Sequence, residues 1–197
     1  YMDSNGLGEY TTANGIRAHP QKTPSDADLI SIISLAKAQG LKVLLKLHVR
    51  VILNPDLANW SDAWTGNINP SDPAQWFSNY AAFAQHYAQL CQAYSVDLFC
   101  FGTELTTMTT PANAVAWNSA IDTIKASYNG LLTFSADFYL EYKNVPFWGR
   151  CDYLGIGPYF SLTSNLPNPD LDTVVDGWFD SPLDGAIIPE MEKWSAQ

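Results

Sequence analysis

Four stretches of this chain alternate in the same way, and that shared alternation restricts the fold more than any single residue does. In a strand, successive side chains point to opposite faces. Residues 41–49 put Lys42, Lys46 and His48 on one face and Leu41, Val43, Leu45, Leu47 and Val49 on the other. Residues 96–105 put Leu98, Cys100, Gly102 and Glu104 together, against Phe99 and Phe101. Residues 131–138 set Thr133, Ser135 and Asp137 against Leu132, Phe134, Ala136 and Phe138. Residues 152–160 set Tyr153, Gly155, Gly157 and Tyr159 against Leu154, Ile156 and Phe160. Each stretch has one greasy face and one face of small or polar residues, most polar towards its C-terminal end.

Helical signals separate these strands. Ser25 followed by Asp28 resembles a capping box, and Gly40 closes the segment that carries Leu29, Ile32, Ile33 and Ala36. Ser71 and Pro73 open a helix whose apolar stripe runs through Trp76, Phe77, Tyr80, Phe83, Ala84, Tyr87, Leu90 and Cys91. Thr110-Pro111 opens another through Val115, Ile121 and Ile124, ended by Gly130. A helical stretch with proline breaks covers 171–195. The polar segment 52–72, with Trp60 and Trp64, reads as a loop.

Strands alternating with helices imply a parallel sheet covered by helices. An open sheet covered on both sides would want both faces greasy. A barrel wants helices outside and a polar upper lumen. The expected fold class is therefore α/β, a (β/α)8 TIM barrel, with 1–197 as a single domain. His48, Glu104, Asp137 and Tyr159 then converge on one mouth from four successive strands. A carboxyl at the end of a buried strand loses hydration and holds its proton better, the state a general acid needs. Lys46 inside the lumen either pairs with a carboxylate or contacts a ligand. Trp60 and Trp64 are read as platforms above the mouth, or else as anchors of loop packing.

The formal net charge of −10 excludes a nucleic-acid partner, which would need a basic stripe. Seven Trp and ten Tyr beside that acidic charge suit carbohydrate, because flat rings stack on sugar faces. No apolar run reaches a membrane-spanning length. Cys91, Cys100 and Cys151 lack metal spacing and read as buried thiols. His19 and His86 read as loop and helix-surface residues. No metal or cofactor is expected.

Several segments, in order, resemble glycoside hydrolase family 113, the β-mannanases of the clan A barrels. They are Leu45-Lys46-Leu47-His48-Val49, Trp76-Phe77 with Tyr80, Phe101-Gly102-Thr103-Glu104-Leu105, Tyr128-Asn129-Gly130 with Leu132-Thr133, and Phe147-Trp148 leading to Asp152-Tyr153-Leu154-Gly155-Ile156 and Tyr159-Phe160. By this resemblance Glu104 matches the acid/base ending the fourth barrel strand. Tyr159 matches the aromatic on the sixth strand near the nucleophile, and His48 a position lining the sugar site. Leu47, Asp137 and Pro158 depart from residues usual in the family and are expected to retune the subsites. The resemblance covers a central slice, about the end of the second barrel strand to the sixth helix. The family's nucleophile, a Glu ending the seventh strand, is then expected beyond Gln197. One alternative makes Glu190, after Ala186-Ile187-Ile188-Pro189, a strand-end nucleophile; the competing reading places it on a solvated helix face.

The expected function is a retaining glycoside hydrolase acting on β-1,4-mannan or a related β-glycan. Glu104 is the catalytic residue, and His48, Lys46, Trp60, Trp64, Asp137 and Tyr159 bind substrate. The alternative is a non-catalytic carbohydrate-binding barrel within a larger assembly. The expected partners are a polysaccharide or oligosaccharide and the remainder of a longer chain or assembly. The expected setting is extracellular or cell-surface, with the cytoplasm as the other option.

Overall fold

The computed structural model describes residues 2–3, 16, 18, 21–54, 61–164 and 166–195. A helix precedes each added strand of its main sheet. β2 (Leu44–Lys46), β5 (Leu98–Thr103), β6 (Leu131–Asp137) and β7 (Tyr153–Gly157) pair in that order, all parallel. Helix α1 (Asp26–Ala38) leads into β2, α2 (Pro73–Ala93) into β5 and α3 (Ala114–Lys125) into β6; the short α4 (Glu141–Asn144) lies between β6 and β7. After β7 come α5 (Leu171–Asp176) and α6 (Ile187–Ser195).

Helix starts follow local chemistry. Ser25 and Asp28 close the capping box in both directions, with the Asp28 N–H donating to Ser25 Oγ at 3.2 Å and the Ser25 N–H to Asp28 Oδ2 at 3.3 Å. Asp72 caps α2 by accepting from the Gln75 N–H, and Pro73 occupies the first turn, where its missing N–H costs nothing.

Helices α2 and α3 press one aromatic cluster onto the greasy face of the sheet. Trp76 stacks on Tyr80 at 4.8 Å, and Trp117 meets Phe77, Tyr80 and Phe147 within 5.3 Å. Trp76, Tyr80, Phe101, Trp117 and Phe134 are fully buried. At about 1.5–3 kcal/mol for each large apolar side chain, this cluster holds the helices to the sheet. Its polar atoms are satisfied, since the Trp117 indole N–H donates to Met108 O at 2.8 Å.

Two aspartates fix strand register at the entrance end of the sheet. Asp97 accepts from the Val43 N–H at 2.8 Å and from Lys37 and Lys42 at 2.7 and 3.0 Å. Asp152 accepts from the Leu132 N–H at 2.7 Å. The Lys37 ammonium, the Val43 N–H and Lys42 hold the Asp97 carboxyl well below the usual carboxylate range. Its stabilising effect is therefore present above that range and is lost as the pH falls through it.

Two features depart from the sequence reading. Segment 52–72 is not all loop. β3 (Val51–Asn54) pairs antiparallel with β4 (Ser61–Ala63) and parallel with β1 (Met2–Asp3), forming a second small sheet. Arg50 clamps the β3–β4 unit to Asp62 through two guanidinium bonds of 2.9 and 2.5 Å.

The second departure lies in β5. Cys100 pairs with Thr133 and Thr103 with Ser135, so β5 carries one extra residue, a bulge. The Tyr80 hydroxyl donates to the Phe101 carbonyl at 2.6 Å. A Cβ on Gly102 would lie 2.6 Å from both the Tyr80 hydroxyl and the Phe134 ring, so only glycine fits there. The simple alternation that grouped Gly102 with Glu104 therefore does not run through the end of this strand.

Tyr80→Phe keeps the ring but leaves the Phe101 carbonyl unpaired in the core. It is expected to cost about 1–3 kcal/mol in denaturant unfolding, the penalty of an orphaned buried polar group. An unchanged unfolding midpoint would show that the bulge does not rely on this bond.

Candidate active site

Glu104 leaves β5 in the left-handed region, at φ 49°. A non-glycine residue holds that conformation only where its surroundings enforce it. Its N–H donates to Ser135 O at 2.8 Å, and its carbonyl accepts from the Thr65 hydroxyl at 3.1 Å. The side chain then reaches over β6. The Trp64 indole N–H donates to Oε2 at 2.7 Å, and a Cβ on Gly157 in β7 would lie 3.2 Å from Oε1. The carboxylate is thus half-buried across the exits of three strands.

Trp64 comes from the small sheet. It follows β4 and enters a 3-10 turn, Thr65–Asn67, with its ring against Gly66 and 41% of the residue exposed. That turn is tied to the segment after Glu104: the Thr107 N–H donates to Gly66 O at 3.2 Å, and the Thr107 hydroxyl donates to Ile68 O. The chain after β4 therefore delivers an indole donor to a carboxylate forty residues away in sequence.

Asp137 ends β6 in register with Gly157. Its Oδ1 accepts from the Tyr139 N–H at 2.9 Å, which closes a tight turn. Tyr159 is 75% exposed, and its ring comes within 6.3 Å of Phe138. Glu104, Trp64, Asp137 and Tyr159 share one end of the sheet.

Lys46 and His48 are exposed and line a cavity of about 950 Å³ between β2, α1 and α2, with Phe83 and Tyr87 opposite. Glu104 does not line that cavity, although its charge acts on His48. Partial desolvation against the cavity wall first, then the Arg50 and Lys46 charges, push the His48 pKa below its usual value. Trp60 and His19 lie outside the described residues.

Glu141, at the start of α4, is 1% exposed. It accepts from the Thr109 hydroxyl at 2.8 Å and the Asp137 N–H at 2.6 Å. Burial pushes its carboxyl up to about 7, with further upward pushes from Asp137 and Glu104, against the opposing pull of its two hydrogen bonds. Only its four-residue spacing from Asp137 hints at this in the sequence. Glu190 lies inside α6 and pairs with Lys143 at 3.1 Å, so it is a helix carboxylate, as the competing reading held. The three cysteines are free, and burial pushes Cys91, Cys100 and Cys151 up to about 12, 11 and 12, which leaves them protonated and inert. His86 is exposed on α2 and pairs with Asp26.

A methyl group added at Gly157 would crowd the Glu104 carboxylate at 3.2 Å. Gly157→Ala is expected to displace it from Trp64 with under ~1 kcal/mol of lost stability, because the flexible side chain can move. The Trp64 indole N–H resonance is the readout. It is expected to move away from its carboxylate-bonded position; an unmoved resonance would mean the carboxylate has other room.

The sequence profile of Glycoside Hydrolase Family 113 matches residues 3–179. No curated protein matches the chain. Among solved structures, the GH113 beta-mannanase AaManA from Alicyclobacillus acidocaldarius in complex with ManMIm is 26% identical, with a TM-score of 0.67 over 78% of this chain and 48% of that one. A GH113 beta-1,4-mannanase is 28% identical, with a TM-score of 0.62 over 73% of this chain and 46% of its own. A GH113 beta-1,4-mannanase solved as a complex is 25% identical, with a TM-score of 0.65 over 94% of this chain and 55% of its own. The chain spans about half the length of these structures. They are TIM barrels, and the parallel sheet with its helices is an arc of that barrel. The chain belongs to Glycoside Hydrolase Family 113.

Proposed function

We propose that this chain carries the proton-donating side of a retaining hydrolase of β-1,4-mannan or a related β-glycan, with Glu104 as general acid/base. The observation behind this reading is the Glu104 carboxylate, half-buried at the exit of a central strand and held by the Trp64 indole. Carboxyls at strand exits are where parallel barrels do chemistry. The family and its β-mannanase neighbours support the substrate class.

In the first step Glu104 gives its proton to the leaving glycosidic oxygen. In the second it takes a proton from the attacking water. Trp64 holds the carboxylate while its exposed face stacks on a sugar ring. Tyr159 supplies a second aromatic face, and Asp137 accepts from a sugar hydroxyl. His48 and Lys46 line a more distant subsite, and Trp60 is a further candidate for stacking on sugar.

Retention needs a second carboxylate about 5–5.5 Å from the first. Asp137 is held in its own turn, Glu141 is buried in a hydrogen-bonded bridge, and Glu190 pairs with Lys143. These three carboxylates are each engaged elsewhere, and none of them is assigned as the nucleophile.

The test uses the full protein that carries this chain. Glu104→Gln is expected to lower mannan hydrolysis by roughly 10²–10⁴-fold while the fold remains intact. Aryl glycosides whose leaving groups need no proton should suffer less. Unchanged mannan turnover would remove Glu104 from the chemistry. A wild-type protein that binds manno-oligosaccharides without cleaving them would instead be a carbohydrate-binding barrel.

A further inference from the structure

Glu141 sits where the turns after β5 and β6 meet. Its Oε1 accepts from the Thr109 hydroxyl, five residues after Glu104, and its Oε2 accepts from the N–H of Asp137. Thr109, like Glu141, is 1% exposed. Its hydroxyl also lies 3.3 Å from Leu105 O and 3.4 Å from Thr106 O. The bridge can therefore take either protonation state. Ionised, the carboxylate accepts from both donors. Neutral, its O–H donates to Thr109, which turns its own proton to one of those carbonyls. No buried polar group is orphaned in either state.

We propose that Glu141 is a positioning residue: by joining Thr109 to the Asp137 backbone it fixes the Glu104 turn against the end of β6, and its ionisation disturbs that placement. The proposal rests on the functional reading of Glu104, though not on the substrate. The groups facing it are negative or neutral. Asp137 comes from β6, Glu104 from the exit of β5, and the Tyr80 phenol from α2. An ionised Glu141 adds negative charge beside these two acids. Neutral, it holds the two turns without repulsion.

The sign follows from burial. The folded carboxyl is pushed from the ordinary 4.5 up to about 7, so the folded state keeps a proton that the unfolded chain has lost. The stabilising contribution is full below about 4.5 and is lost as the pH rises to about 7. The site is best assembled on the acid side of neutrality.

The experiment compares wild type, Glu141→Gln and Glu141→Ala in the full protein between pH 4 and 8. Two readouts are followed: kcat/KM on β-mannan and the Trp64 indole N–H resonance, which tracks Glu104 whether or not the protein turns over. Wild type is expected to lose kcat/KM, and to shift the resonance, with a midpoint near 7. The Gln variant mimics the neutral acid and should lose the Glu141 step from both readouts, keeping only the step that Glu104 itself contributes as general acid. The Ala variant opens the bridge and should lose ~10–100-fold in kcat/KM, the scale of a small misplacement. His48 titrates below its usual value in all three proteins alike. Profiles of Glu141→Gln that superimpose on those of wild type in both readouts overturn the proposal, as does a melting change with neither readout moved. If wild type never cleaves mannan, the functional reading fails while the resonance still tests Glu141. Should the Gln variant not fold, Thr109→Val removes one donor to the ionised form and is expected to move the transition upward, whereas Thr109→Ser leaves it in place. A transition that ignores Thr109→Val also overturns the proposal.

Discussion

The Tyr80 hydroxyl on the Phe101 carbonyl is a bond on which much of this molecule turns. Parallel strands are laddered by their own backbones, and an extra residue breaks that ladder. The break in β5 is tolerated because a helix supplies the missing partner and glycine at 102 leaves room for it. Beyond the bulge the chain enters the left-handed turn at Glu104 and makes new backbone bonds to Ser135 and Thr65. The strain of that turn is offset in the greasy core, where Tyr80 stacks on Trp76 and meets Trp117 edge-on.

Charge governs the rest of the mouth. Asp137 and Glu104 both act electrostatically on Glu141. Their repulsion is managed with neutral donors: an indole N–H on Glu104, backbone N–H groups on Asp137 and Glu141, and a hydroxyl on Glu141. Neutral donors hold a carboxylate without fixing it as an ion the way a lysine would. Lysines are used freely at the other end, where Lys37 and Lys42 hold Asp97 ionised. The opposite ends of the sheet thus follow opposite electrostatic rules.

Much of this was legible in the chain. The apolar periods of 73–93 and 98–103, the Ser25 cap and the greasy faces of four strands follow from local chemistry, and they place Glu104 at a strand exit. The bulge was not legible, because its cause lies 21 residues upstream in Tyr80, whose position on an apolar stripe looks the same as that of any core aromatic. The β3–β4 pairing was hidden by a polar segment whose apolar run is only three residues long. Trp64 read equally well as a sugar platform or a packing anchor, and the structure adds a third role, the holding of Glu104. The burial of Glu141 depends on Thr109 and on the end of β6 closing over it, contacts that no periodicity announces.

The aspartates at the entrance carry a consequence for the opposite end. Asp97 and Asp152 each capture the N–H of a residue on the neighbouring strand's side, Val43 just ahead of β2 and Leu132 within β6. A one-residue slip of either pairing would invert every side chain above it. The two carboxylates therefore act as a surveyor's datum, from which the height of each strand exit is measured. Errors introduced at that level would be carried the whole length of a strand and would emerge at the mouth as misaimed side chains. Catalytic failure could then arise from a residue that never approaches a substrate.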